Sequence, residues 1–312
     1  MLSSDSVLAT SPAQYHYFTY GLKICSEIEC PELIEWVSSP APDVMVRLGD
    51  VPEQLASARQ INPRIQVSDG VLLCSMQGTG RYLVRDGREI IVEPDPTAAP
   101  GDVRVLLLGT ALGALLHQRG SLPLHCCAIA HNGGVYAFCG ESGAGKSTLA
   151  TALYRQGYEL LTDDVGVVQR SPQGQWLFYP GVPRIKLWRE ALDHFDIGAE
   201  TLERDWQRWD KFHWQPEGVC RSQPLPLAGV FFLSSTDDSS APASLRDISP
   251  QMGVSMLLKN VYRAHFINAV GDMQNCFQQC AGIAGSVPLY EYVRPWSLTE
   301  LQRSLAVLPI CA

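Results

Sequence analysis

The feature that most constrains this chain is residues 135–150, VYAFCGESGAGKSTLA. They contain Gly140-x-x-x-x-Gly145-Lys146-Ser147, the complete pattern of a phosphate-binding loop. Apolar residues 135–139 read as a buried strand delivering the loop, and residues 147–154 as the helix leaving it. Gly140, Gly143 and Gly145 allow positive φ and let backbone approach oxygen atoms without a Cβ in the way. Successive N–H groups from Gly140 through Glu141, Ser142, Gly143, Ala144, Gly145, Lys146, Ser147 and Thr148 can then surround a phosphate, helped by the helix dipole. Lys146 adds a charge toward the β/γ phosphates, and the Ser147 hydroxyl suits Mg²⁺. Four fixed positions match by accident in about one of a hundred chains this long, and the strand–loop–helix context lowers that further. Nucleotide binding is the expectation.

In a strand–loop–helix–strand unit the end of the second strand lies near the loop. Residues 158–161 read as that strand, and Asp163-Asp164 follow it. One aspartate can orient Mg²⁺ while the other accepts a proton from an attacking hydroxyl, as in protein-kinase phosphoryl transfer. Exposed acidic turns are also common, so a plain polar strand end is the competing reading. His125, on the strand before the loop, by itself reads more readily as a core or supporting residue than as a catalyst. No Asn-Lys-x-Asp stretch that would read guanine occurs, and no Leu-Ser-Gly-Gly stretch of a transport ATPase.

The formal charge of -8 argues against nucleic acid or an anionic membrane as a partner, since both favour basic surfaces. Ten cysteines in 312 residues form no CxxC, and Cys276 and Cys280, one helical turn apart, read as buried thiols rather than a metal site. Residues 1–18 lack Lys, Arg and an apolar core, so no signal peptide is read and a cytoplasmic location is expected. The longest apolar run, residues 105–116, is too short to span a bilayer.

The length suggests two domains. Residues 1–100 read as a smaller β-rich N-terminal domain, with hairpins turning at Asp69-Gly70 and Asp86-Gly87 and a linker at residues 94–100. Residues 101–312 hold the loop. A helix over 103–118 opens or buttresses that domain, and a hairpin turning at residues 132–134 delivers the loop strand. Strands follow at 165–169, 176–179 and 227–233. Residues 180–188 read as an irregular loop before a helix to Phe195, residues 201–218 as a surface excursion, and residues 252–283 as mostly helical.

His125, then GESGAGKST, then Gly157-Tyr158-Glu-Leu-Leu-Thr-Asp163-Asp164, resembles the catalytic domain of bacterial HPr serine kinase/phosphorylase over about residues 119–170. PGVPRIKLW and the stretch Leu257-Leu258-Lys259-Asn260-Val261-Tyr262-Arg263 look more like the HPr-kinase-like proteins of lasso-peptide clusters, which phosphorylate a serine of the precursor peptide. The resemblance implies an α/β fold, a PEP-carboxykinase/HPr-kinase-like P-loop domain. It implies Asp163 as base with Lys146 and His125 in the catalytic set, Ser147 and Asp164 at the metal, and Arg184, Lys186 and Arg263 as phosphate or substrate contacts. The family's Glu-x-Arg-Gly-x-Gly segment has no clear match, so the resemblance does not extend to reverse phosphorolysis or to HPr as substrate.

The leading expectation is an ATP- and Mg²⁺-dependent kinase acting on a serine of a peptide or small protein. Partners would then include neither nucleic acid nor membrane, and a homo-oligomer stays compatible. Alternatives are an HPr-type kinase/phosphorylase, a kinase for a small alcohol, or a nucleotide-dependent binding module without transfer. Paired aspartates favour catalysis, because a binder needs only one metal-orienting carboxylate.

Overall fold

A computed structural model of the chain describes residues 13–36, 41–182, 184–205, 210–216 and 223–311. Expectations that fall on residues 1–12, Pro183, Trp206, Trp209 and 217–218 lie outside them. The architecture is mixed α/β, built on two large sheets.

Both Asp-Gly hairpins are present, Ile65–Ser68 with Val71–Met76 and Gly80–Arg85 with Glu89–Pro94. Asp69 and Gly70 take φ of 46° and 75°, and Asp86 and Gly87 take 56° and 60°. Positive φ at both turn positions matches the twist of the flanking strands. The hairpins are part of a nine-stranded sheet that also holds Tyr15–Thr19, Leu22–Ser26 and Val44–Leu48.

The predicted helix runs as Pro100–Leu106, a wider turn Leu107–Ala111, and Leu112–Gln118. It does not open the second sheet. Its buried Val103, Leu106, Leu107, Ala111, Leu112 and Leu115 share one core with Ile24, Val44, Val46, Leu72, Tyr82 and Ile90 of the first. A sheet with one apolar face must cover it, and this helix is the longest apolar run available. The Tyr82 hydroxyl fixes the pairing by donating to Val103 O at 2.9 Å.

The second sheet follows the order Leu122–Leu124, Gly166–Arg170, Trp176–Tyr179, Leu225–Thr236, Gly134–Cys139, Cys126–His131, Glu159–Thr162, with Leu289–Pro295 also beside Leu225–Thr236. Gly134–Cys139, Leu225–Thr236 and Leu289–Pro295 run parallel, so their carboxyl ends share one edge. Period-two alternation sends Cys126, Ala128 and Ala130 to one face and Cys127 and Ile129 to the other. The first face packs on helices Pro250–Lys259 and Met273–Ala284, the second on Lys146–Arg155 and Leu301–Leu305. All nine cysteines among the described residues are free.

Two expectations are corrected. Within residues 180–188, Ile185–Trp188 is a strand: Ile185 and Leu187 are buried while Lys186 and Trp188 face outward. That short alternation is hidden by the Pro-Gly-x-Pro segment before it. Residues 201–218 are not only a surface excursion, since Glu203–Arg204 and Lys211–Trp214 complete a three-stranded sheet with Ile185–Trp188 and bury Phe212 and His213. Among the described residues no helix is long and apolar enough to cross a membrane.

Candidate active site

The loop leaves the carboxyl end of Gly134–Cys139 and turns through φ of 157°, 96° and 81° at Gly140, Gly143 and Gly145 before helix Lys146–Arg155. Lys146 is buried, and its Nζ donates to Gly140 O at 2.8 Å and Glu141 O at 3.0 Å. Its charge is therefore held over the loop by two neutral acceptors that a phosphate oxygen can replace.

Glu159–Thr162 ends before the aspartates, which lie in a turn closed by the Thr162 hydroxyl donating to Val165 O at 2.6 Å. The turn, rather than strand alternation, gives the two carboxylates different surroundings. Ser147 Oγ donates to Asp163 Oδ1 and Oδ2 at 3.0 and 2.9 Å, and the Lys186 backbone N–H donates to Asp163 Oδ2 at 3.0 Å. Asp164 Oδ1 lies 3.1 Å from His125 Nδ1, and Asp164 Oδ2 lies 3.3 Å from Lys186 Nζ. His125 Nδ1 also reaches Asp164 O at 2.9 Å. Asp164 takes φ of 94°, a conformation that non-glycine residues adopt at a cost and that these partners hold in place.

Burial pushes the Asp163 carboxyl above its ordinary value, against the Lys186 N–H and the Ser147 hydroxyl, which favour the charged form. Burial acts in the same upward sense on Asp164, but Lys186 and His125 overcome it and hold that carboxyl well below the usual range.

The turn is supported from behind by both neighbours. Gly181 passes so close that a Cβ there would lie 2.3 Å from Val165 O and 2.6 Å from Thr162 Oγ1. Tyr20 of the first sheet donates its N–H to Pro180 O at 2.9 Å, and Val165 and Val182 join the first sheet's core.

The segment after helix Pro250–Lys259 is brought in by pairing. His125 N donates to Asn260 O at 2.7 Å and Tyr262 N to Pro123 O at 2.8 Å. This sets Lys259, Tyr262 and Arg263 beside His125 in a cavity of about 780 Å³ that also holds Ser142, Gly143, Gly145, Lys146, Ser147, Thr148, both aspartates and Lys186. Lys146, Lys186, Lys211, Lys259, Arg263 and Arg294 line it against Asp163, Asp164, Glu190 and Asp205. Six cations to four carboxylates give it a net positive lining in a chain of formal charge -8.

Of the expected site residues, Arg184 stands apart. It does not line the cavity; its Nη1 lies 3.3 Å from Glu32 Oε1, whose carboxylate also takes Arg104 Nε at 2.8 Å. Arg184 thus ties the strand carrying Lys186 to the first sheet's side of the molecule. Sequence reading missed Lys211, Arg294 and Trp296. Arg294 had a usable signal, because it ends the apolar strand Leu289–Pro295 at the carboxyl edge where ligands of parallel sheets bind.

Ser147 and the two carboxylates fit Mg²⁺, which takes one or two carboxylates and completes its shell with phosphate and water. Among the described residues no group of three or more His, Cys, Asp or Glu could hold a metal ion.

No family model and no curated protein matches the chain. Among solved structures, it is similar to the HPr(Ser) kinase/phosphatase from Coxiella burnetii, at 12% identity and a TM-score of 0.31, over 59% of this chain and 93% of that one.

Proposed function

We propose that this chain is an ATP- and Mg²⁺-dependent kinase that transfers the γ-phosphate to a serine hydroxyl of a peptide, a lasso-peptide precursor being the acceptor that the sequence resemblance implies. The observation that carries the reading is the Ser147–Asp163 hydrogen bond, with Asp164 adjacent in the same basic cavity. It joins the phosphate loop to a pair of carboxylates, more than a nucleotide binder requires.

In this account the loop N–H groups and Lys146 hold the β and γ phosphates, and Lys186 and Arg263 add charge where negative charge accumulates. Mg²⁺, held by Ser147 and Asp164, would supply charge neutralisation on the phosphates. The serine oxygen forms a bond to the γ phosphorus as the bond to the β–γ bridging oxygen breaks. ADP leaves, and the hydroxyl proton passes to Asp163. Burial makes Asp163 a better base than an ordinary carboxylate, while Asp164, paired with Lys186, stays anionic. His125 is a positioning residue, holding the Asp164 carbonyl and carboxylate together through Nδ1.

A second assignment exchanges the aspartates. The Ser147–Asp163 bond itself favours it, because it sets Asp163 beside the hydroxyl meant for the metal. Residues 1–100 are proposed to recognise the acceptor. In the described part of their sheet, Ile34–Glu35 and Arg59–Asn62 are edge strands, where an extended peptide could pair.

The test is mass spectrometry of a short serine-containing peptide, encoded beside the gene, after incubation with Mg·ATP and either the wild type or Asp163→Asn. Phosphoserine with the wild type and little with the variant supports the proposal. ATP binding without any transfer by the wild type would favour a nucleotide-dependent binding module.

A further inference from the structure

Two side chains at the far wall of the cavity are unused by this mechanism. Arg294 is 4% exposed, and its guanidinium packs so tightly on the phosphate loop that a Cβ at Gly145 would lie 2.1 Å from Nη2. Its one hydrogen bond among the described residues runs from Nη1 to Pro295 O at 3.3 Å, and Nε is buried without a partner. A buried cation with an unmet donor beside a phosphate loop is costly unless a ligand completes it.

Trp296 follows two residues on. Its backbone N–H donates to Thr236 O at 3.0 Å, Arg294 Cζ lies 5.9 Å from its ring centroid, and its ring comes within 3.6 Å of the Cβ position of Gly145. Yet it is 56% exposed and lines the cavity with Ser297, Leu298 and Thr299. A large aromatic side chain held against the loop with much of its surface open is a surface waiting for a flat partner.

The loop has two sides. Ser147 contacts Asp163, whereas the Cβ position of Gly145 points at Arg294 and Trp296. A nucleotide whose γ end lies at the aspartates therefore has its base end toward Trp296. We infer that Trp296 is the platform on which the nucleotide base stacks, with Arg294 bracing the indole. This rests on the phosphate-loop reading. Stacking reads a π-face and not a base edge, so the platform accepts adenine or guanine.

Calorimetry with Mg·ADP and with Mg·tripolyphosphate, which has the phosphates and no base, separates the two claims. Trp296→Ala should bind ADP about tenfold to a hundredfold more weakly, as loss of one aromatic–base stack does, and tripolyphosphate as the wild type does. Trp296→Phe should keep most of the ADP affinity. Unchanged ADP binding by Trp296→Ala overturns the platform, and so does an equal loss for both ligands, which would mark a disturbed loop. A wild type that binds neither ligand overturns the phosphate-loop reading itself.

Discussion

Lys146→Met removes one charge while keeping a side chain of similar length, and the resting contacts set the size of the effect. Nζ makes two hydrogen bonds, to Gly140 O and Glu141 O, and both must be exchanged for phosphate oxygens when a nucleotide binds. A hydrogen bond to a charged group contributes about 1.5–3 kcal/mol net, and each 1.4 kcal/mol is tenfold in affinity. The variant should therefore bind Mg·ADP about tenfold to a hundredfold more weakly. Folding should suffer less. Glu141 is exposed, so water can take over one of the two orphaned acceptors, and the cost should stay near the low end of about 1–3 kcal/mol for an unmet group. Calorimetry on the variant, after circular dichroism and thermal unfolding have shown it folded, reads both quantities. A folded variant with the wild-type Kd for ADP would refute the reasoning, because the charge would then not face the phosphates.

The aspartates should fail differently: Asp163→Asn lowers kcat steeply with nucleotide affinity kept, and Asp164→Asn raises the Mg²⁺ needed for half-maximal rate. If excess Mg²⁺ rescues Asp163→Asn and not Asp164→Asn, the exchanged assignment holds. Glu32→Ala strands the largely buried guanidinium groups of Arg104 and Arg184, and breaking a buried ion pair from one side costs about 3–5 kcal/mol. The urea midpoint should fall with m unchanged, and an unmoved midpoint would rule the triad out as a structural tie. Burial holds the imidazoles of His117 and His213 below their ordinary value, so beneath about pH 6.5 the unfolded chain binds more protons than the folded one. Their contribution is thus lost as pH falls. His117→Gln, which can still donate to Tyr262 O, should show a smaller fall in melting temperature between pH 7 and pH 5.5 than the wild type, and an identical slope would contradict this.

What could be read from the sequence followed from local rules. The glycine spacing of the loop, the Asp-Gly turns and the period-two strands each carry their cause within a few residues, and all are present in the fold. Helix 100–118 was legible as a helix but not in its packing, because an apolar run does not say which sheet it covers. Asp163 and Asp164 could be picked out as a pair, yet their partners come from residues 125, 147 and 186, which only tertiary structure unites. Arg184 shows the reverse difficulty: a cation two residues before Lys186, expected to meet phosphate or substrate, is absorbed by Glu32, over a hundred residues earlier. Trp296 gave no local sign, since its role depends on two parallel strands ending at one edge.

The central claim is transfer of the γ-phosphate to a serine. The most direct measurement follows label from γ-labelled ATP in the presence of Mg²⁺, the full chain and either the serine peptide or its Ser→Ala counterpart. The account predicts label in the serine peptide as phosphoserine, none in the alanine peptide, and loss of transfer with Asp163→Asn. Label released only as inorganic phosphate, at a rate indifferent to the peptide, would contradict it.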